Sequence, residues 1–111
     1  MKRKYRLSRS SDFQRVRQFG KSYASPIMVL AFLRNELDYH RFGFVVSKRL
    51  GKAVLRNKIK RRMREAVRLR MTNIKPGVDI VFIARKRMAQ ASYADICQTL
   101  ERLLTKADLL L

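Results

Sequence analysis

The segment from Phe44 to Arg70, FVVSKRLGKAVLRNKIKRRMREAVRLR, restricts the fold of this chain more than any other. Glu65 is its only acidic residue, against eleven basic ones: Lys48, Arg49, Lys52, Arg56, Lys58, Lys60, Arg61, Arg62, Arg64, Arg68 and Arg70. A helix turns about 100° per residue, so a helix from about Arg56 onward would align an apolar stripe of Leu55, Ile59, Met63, Ala66 and Val67. The stripe predicts a helix that packs on a core through this side.

The side of the helix opposite the stripe is a cationic ridge, formed by Asn57, Lys60, Arg61, Arg64 and Arg68. Cations four residues apart destabilise an isolated helix by roughly 0.2–0.5 kcal/mol per pair, so a purely structural helix would interleave glutamates. A solvated surface helix is the alternative interpretation. Binding of phosphates to such a ridge is favourable because it releases counterions. We therefore expect the ridge to bind a phosphate-rich polymer.

A basic turn separates the apolar run Phe44–Val46 from this helix and comprises Ser47, Lys48, Arg49, Gly51 and Lys52. Because glycine has no side chain, the backbone at Gly51 can approach a ligand closely. A strand end, a basic turn and a basic helix are therefore contiguous.

The net charge of +19, from 27 Lys and Arg against 8 Asp and Glu, also indicates a polyanionic partner. A membrane surface is disfavoured, because an interfacial helix needs Trp, Phe or Leu on its apolar face and the stripe has only Leu55. The sequence has no uncharged apolar run of about 18 residues, and its start, MKRKYRL, lacks an apolar signal region. The single cysteine, Cys97, lies among apolar residues and fits a reducing compartment. We therefore expect a cytoplasmic protein with Cys97 in its core.

A first helix is predicted after a basic arm at residues 1–9, for which disorder and phosphate contact are both open. Ser10 or Ser11 would cap this helix and Gly20 would end it. Its inward face would consist of Phe13 and Val16.

Three apolar runs predict strands. Tyr23–Leu33 and Phe42–Ser47 would be joined as a hairpin by the polar residues 35–40, and Val78–Ala84 would form a buried strand after the basic helix. A second basic cluster, Arg85 to Arg87, follows this last strand.

The last helix is predicted by a capping box of Ser92 and Asp95. Its apolar face would consist of Ile96, Leu100, Leu103 and Leu104. The resulting order is α-β-β-β-α-β-α, in which the consecutive strands belong to the hairpin region. It predicts a single α+β domain over residues 1–111, an α/β sandwich whose central sheet is flanked by helices.

The run SKRLGKAVLRNKIKRRMRE resembles the signature of the protein component of bacterial ribonuclease P, which has Ser-Lys, Gly-x-Ala-Val, Arg-Asn-Arg, Lys-Arg and Arg-Glu in this order. The matching residues are Ser47, Lys48, Gly51, Ala53, Val54, Arg56, Asn57, Lys58, Lys60, Arg61, Arg64 and Glu65. Lys58 departs from the pattern, because it keeps the charge of the usual arginine but not its bidentate geometry. The segments RLSRSSDFQRV and IARKRMAQASYADI are similar to flanking pieces of the family, so the resemblance covers nearly the whole chain.

The resemblance implies an RNA-binding subunit that assists a catalytic RNA in removing the 5′ leader from precursor tRNA. It implies contacts with the catalytic RNA at Ser47, Lys48, Arg49, Lys52, Arg56, Asn57, Lys58, Lys60, Arg61, Arg64 and Arg68. It implies a cleft for the single-stranded leader at Phe13, Arg17, Val29, Ala31, Val45 and Lys86, with Arg17 and Ala31 at positions where the family often has aromatic residues. A divalent metal, Mg²⁺, would be used by the RNA and not by a protein site. The βαβ unit that contains the basic helix would be left-handed, against the general right-handed rule.

The residues themselves offer little for protein-borne hydrolysis, which needs an acid and base pair or clustered carboxylates that hold metal ions. His40 is the only histidine and is expected at the surface of a loop, and the eight acids are scattered. We therefore expect no catalytic residue and no metal ligand in the protein. The alternative functions are a ribosomal or other structural RNA-binding protein, a DNA-binding helical module, disfavoured by the predicted sheet, and a self-sufficient nuclease, disfavoured by the scattered acids.

Overall fold

The computed structural model describes residues Met1–Leu111, and a four-stranded sheet lies at its centre. The strands are β1 (Lys21–Ala24), β2 (Met28–Arg34), β3 (Arg41–Val45) and β4 (Val78–Ala84). They lie side by side in the order β1-β2-β4-β3. The β1–β2 and β2–β4 pairs are antiparallel and the β3–β4 pair is parallel. The sheet is therefore mixed, and β1 and β3 are its edges.

Three helices flank the sheet: α1 (Ser10–Phe19), α2 (Ala53–Arg68) and α3 (Tyr93–Lys106). Short 3₁₀ turns lie at Arg3–Tyr5, Lys48–Leu50, Met71–Asn73 and Lys86–Gln90. The α-β-β-β-α-β-α order and the single α+β domain predicted from the sequence are confirmed. The left hand of the β3-α2-β4 crossover stays a prediction that the resemblance implies.

The main core lies between one face of the sheet and the helices α2 and α3. Strand residues that alternate along the chain point to this face, among them Met28, Leu30, Phe42, Ile80 and Phe82. They pack against the α2 stripe and against Ile96, Leu100, Leu103 and Leu104 of α3. Each fully buried side chain of this size contributes about 1.5–3 kcal/mol, so this face supplies most of the apolar burial. Cys97 is partly buried against the same cluster, as predicted.

The other face of the sheet carries a smaller core that α1 and the basic arm cover. Its buried members are Leu7, Val16, Ala31 and Val81. Gly43 of β3 lies directly beneath the first turns of α1, where an added Cβ would come within 2.4 Å of the Phe13 ring. Glycine at this position therefore lets Phe13 lie on the sheet.

The predicted hairpin between Tyr23–Leu33 and Phe42–Ser47 is wrong, because β4 lies between β2 and β3. The hairpin present joins β1 to β2 through a tight turn at Ser25, whose Oγ accepts a hydrogen bond from the Met28 N–H at 3.0 Å. This turn also divides the predicted strand Tyr23–Leu33 in two. Neighbouring runs in the sequence usually pair, but here α2 carries the chain far enough for β4 to enter between them.

The helix ends agree with the sequence in two cases and differ in two. Gly20 ends α1 and the Ser92–Asp95 capping box opens α3, as predicted. The predicted serine cap of α1 is wrong, because Ser10 is already helical and Arg9 occupies the cap position without a side-chain bond. The helix α2 begins at Ala53, earlier than the predicted Arg56.

The basic arm runs along β3. The Leu7 N–H donates to the Phe42 carbonyl at 2.8 Å, and the Leu7 side chain is buried against the smaller core. The arm also covers His40, whose ring centroid lies 5.6 Å from that of Tyr5 and 4.7 Å from that of Phe42. His40 lies in the predicted loop but is only partly exposed, and burial lowers its pKa.

A buried carboxylate joins the elements around α1. Asp79 of β4 is fully buried and accepts hydrogen bonds from Arg41 at 2.8 and 2.9 Å, Arg15 at 3.2 Å and the Asn35 amide at 2.9 Å. Burial by itself raises the pKa of Asp79, but the hydrogen bonds from Arg41 and Asn35 and the charges of Arg41 and Arg15 outweigh it and lower the pKa below 3.8. The ionised form is therefore the one that the fold stabilises.

We predict that Asp79→Asn lowers the free energy of unfolding at neutral pH by about 3 kcal/mol, because it removes a fully buried charge and leaves the part-buried guanidinium of Arg41 without its counterion. A depressed pKa stabilises the fold above the unfolded value, near 3.8, and this contribution is lost as the pH falls through the folded pKa. The variant should therefore lose part of the acid dependence of the wild type. Chemical denaturation between pH 2 and pH 7 measures both effects.

Asp108→Asn is the matched control for this prediction. Asp108 forms an exposed ion pair with Lys75, and asparagine tolerates its left-handed backbone, with φ 57°. An exposed pair contributes little, so this variant should keep nearly all of its stability. Equal losses in Asp79→Asn and Asp108→Asn would contradict a special role of the buried carboxylate.

Candidate RNA interface

The cationic ridge predicted from the sequence lies on the outer side of α2. Four residues of the apolar stripe, Ile59, Met63, Ala66 and Val67, are buried, and Leu55 is half-buried. The ridge residues Asn57, Lys60, Arg61 and Arg68 are exposed and Arg64 is half-buried. Of the two remaining predicted contacts on this helix, Lys58 is exposed and Arg56 half-buried. The helical period thus places the apolar stripe against the core and the ridge on the opposite, solvent-facing side of α2.

The charge of the ridge is almost uncompensated within the chain. Only Arg68 has an acidic partner, Glu65, at 2.6 Å, and hydrogen bonds from Arg68 lower the pKa of Glu65. Lys60, Arg61 and Arg64 form no ion pair. Such a row of unpaired cations concentrates phosphates, because neutralising them releases counterions.

The basic turn continues this surface at the start of α2. Ser47, Lys48, Arg49 and Lys52 are all exposed, and the Ser47 hydroxyl accepts a hydrogen bond from the Arg49 N–H at 3.2 Å. The first turn of α2 has neither a side-chain cap nor an acidic residue, so its free N–H groups add to the positive potential. Gly51 has φ 143° and lies against Leu55, so the backbone conformation, and not only access for a ligand, requires glycine here.

An open apolar strip lies on the sheet face that α1 covers only in part. The strand register places Val29, Ile83 and Val45 side by side in one row. All three are half-exposed, whereas the next row, Ala31, Val81 and Gly43, is buried beneath α1. We call the space between this strip and α1 the leader cleft, after the role that the resemblance predicts for it.

Of the residues predicted for the leader cleft, Val29 and Val45 belong to the strip, and Phe13 lies beside Val45. Phe13 is half-buried on α1, and Arg17 is exposed one turn later on the same side of the helix. Lys86 is exposed in the 3₁₀ turn Lys86–Gln90, which follows the end of β4. Ala31, however, is 4% exposed and lies beneath α1, so it supports the cleft and does not line it.

Ile83 is a cleft residue that the sequence prediction missed. The alternation in VDIVFIA places Asp79, Val81 and Ile83 on one side of β4. Only the pairing of β4 between β2 and β3 shows that this side carries the strip. Without that register, Ile83 could not be told apart from the core residues around it.

The acidic side chains are dispersed, and no group of three or more His, Cys, Asp or Glu side chains that could hold a metal ion is found. The Asp79 carboxylate accepts hydrogen bonds from Arg41, Arg15 and Asn35, and the Asp95 carboxylate accepts one in the capping box of α3. No helix is long and apolar enough to cross a membrane.

The sequence profile of the ribonuclease P family matches residues 1–108. The chain belongs to the ribonuclease P protein family. It is 43% identical to the ribonuclease P protein component of Clostridioides difficile, over 93% of this chain and 91% of that protein. Among solved structures it is similar to the ribonuclease P protein of Staphylococcus aureus, with a TM-score of 0.89 and 39% identity over 96% of this chain and 98% of that one. The corresponding values for the Thermotoga maritima protein are 0.83 and 36%, over 91% and 96%.

Membership confirms the family expected from the motif in Ser47–Glu65, and with it an RNA-binding role in tRNA processing as a ribonucleoprotein. It disfavours the alternative of a ribosomal or other structural RNA-binding protein. The likeness covers nearly the whole chain, because the matched profile includes the arm and all of the last helix.

Proposed function

We propose that this chain is the RNA-binding subunit of ribonuclease P, which assists the catalytic RNA subunit in removing the 5′ leader of precursor tRNA. In this proposal the ridge and the basic turn bind the catalytic RNA. The leader cleft holds the single-stranded leader.

The observation that carries this proposal is the separation of two different surfaces by the sheet. The ridge on α2 is cationic and exposed, and its chemistry suits the phosphates of a folded RNA. The strip beside α1 is apolar and flanked by Arg17 and Lys86, and its chemistry suits unpaired bases with their phosphates at the edges. One protein can therefore bind two RNA segments at the same time.

The side chains of this protein bind and position RNA, and we assign bond cleavage to the RNA subunit. Hydrolysis of a phosphodiester needs an activated water and stabilisation of the leaving oxygen, which metal ions commonly supply. We assign the divalent metal, Mg²⁺, to the RNA. The contribution of the protein is then the alignment of the substrate, which lowers the entropic part of the barrier.

We predict that Arg61→Ala reduces the salt dependence of binding to the catalytic RNA. If the ridge and the basic turn together neutralise about five phosphates, log K against log salt has a slope of roughly −3.5 to −4.5. Loss of one phosphate contact should reduce the slope by about one. Filter binding across a salt series measures it, and Arg102→Ala, which removes an exposed arginine of α3, is the control. An unchanged slope and affinity in Arg61→Ala would show that the ridge faces solvent.

Precursors with leaders of different length test the leader cleft. We predict that Arg17→Ala and Lys86→Ala weaken binding of the assembled complex to a precursor with a leader of several nucleotides, because each removes a contact to a leader phosphate. A precursor with a one-nucleotide leader should bind almost as tightly as to wild type. Equal losses for both substrates would place these residues in the fold or in contact with the catalytic RNA.

A further inference from the structure

A shallow groove at the outer edge of β3 connects the leader cleft with the ridge. It lies between the basic arm and α1 on one side and α2 on the other. Its lining includes Arg6, Phe13, Phe44, Val46, Lys60 and Arg64. β3 is an edge strand, so Phe44 is only half-buried although it points to the face of the main core.

The groove exposes the end of an aromatic stack that begins in the core. The Phe44 ring lies 5.5 Å from the buried Phe82 ring, at an angle of 18°. The guanidinium carbon of Arg64 lies over Phe44, at 5.9 Å from the ring centroid. The guanidinium of Arg64 therefore lies over the outer end of an aromatic pair that the core holds in place.

Two cations of this groove, Lys60 and Arg64, have no acidic partner, while other arginines of the fold have one. Arg15 and Arg41 share Asp79, and Arg70 pairs with Glu101. Arg64 and Lys60 form no ion pair, and the Arg64 Nε is buried without a hydrogen-bond acceptor. A buried donor without an acceptor is costly, so a partner that supplies acceptor atoms and negative charge would be bound favourably in this groove.

We infer that the Arg64 guanidinium, supported by Phe44, is a stacking platform for one unpaired base of the catalytic RNA, with Lys60 and Arg6 on the adjoining phosphates. The inference rests on the proposed function, because it deepens the role of the ridge. Unpaired bases stack on the flat face of arginine as they do on aromatic rings. Arg64 and Lys60 both belong to the ridge, which assigns the base to the catalytic RNA and not to the leader.

Arg64→Lys tests the platform, because it keeps the charge and removes the planar surface. We expect affinity for the catalytic RNA to fall roughly tenfold, as for loss of one stacked base. The salt slope should stay unchanged, since no phosphate contact is lost. Arg62→Lys makes the same substitution on the same helix outside the proposed interface, and its affinity should equal that of wild type.

Phe44→Leu is the second variant, because it removes the support of Arg64 and leaves every charge in place. Thermal unfolding measures whether this variant is folded. Its affinity for the catalytic RNA should also fall, without a change in the salt slope. Combined with Arg64→Lys it should add little, because both act on one stack. Full additivity of the two losses would overturn the platform.

Arg61→Ala, measured in parallel, separates this inference from the proposed function. If Arg61→Ala reduces the salt slope while Arg64→Lys binds like wild type, the ridge binds RNA and the platform is wrong. If Arg64→Lys weakens only complexes with a long-leader precursor, the base belongs to the leader, and the assignment to the catalytic RNA is overturned.

Discussion

The buried carboxylate of Asp79 fixes the arrangement on which the rest of this structure depends. It joins β4 to β3 through Arg41, to α1 through Arg15 and to the loop after β2 through Asn35. These contacts hold α1 over one half of the sheet face. The other half, with its apolar strip, is left open as a cleft.

The sheet then separates two kinds of surface. α2 and α3 bury most of one face, and the side of α2 that faces away from the core carries the cations. On the other face, α1 is a short cover, and Gly43 allows Phe13 to lie close to β3. A charged surface and an apolar cleft thus come from one small domain because its two faces are covered unequally.

Much of this structure could be predicted from local sequence patterns. The features that depend on pairing between distant residues could not. The α2 stripe and ridge, the Ser92–Asp95 cap and the end of α1 at Gly20 depend on neighbouring residues, and the sequence shows them directly. The order of the strands depends on β4 entering between β2 and β3. The role of Asp79 depends on three distant partners, and that of Ile83 on the register, so neither was visible before the fold.

The division of labour between protein and RNA is the central claim, and cleavage of precursor tRNA by separated components tests it most directly. The protein, freed of RNA, should release no leader. The catalytic RNA with the protein should release it at low salt much faster than the RNA without the protein. Cleavage by RNA-free protein at a rate near that of the complex would contradict the account.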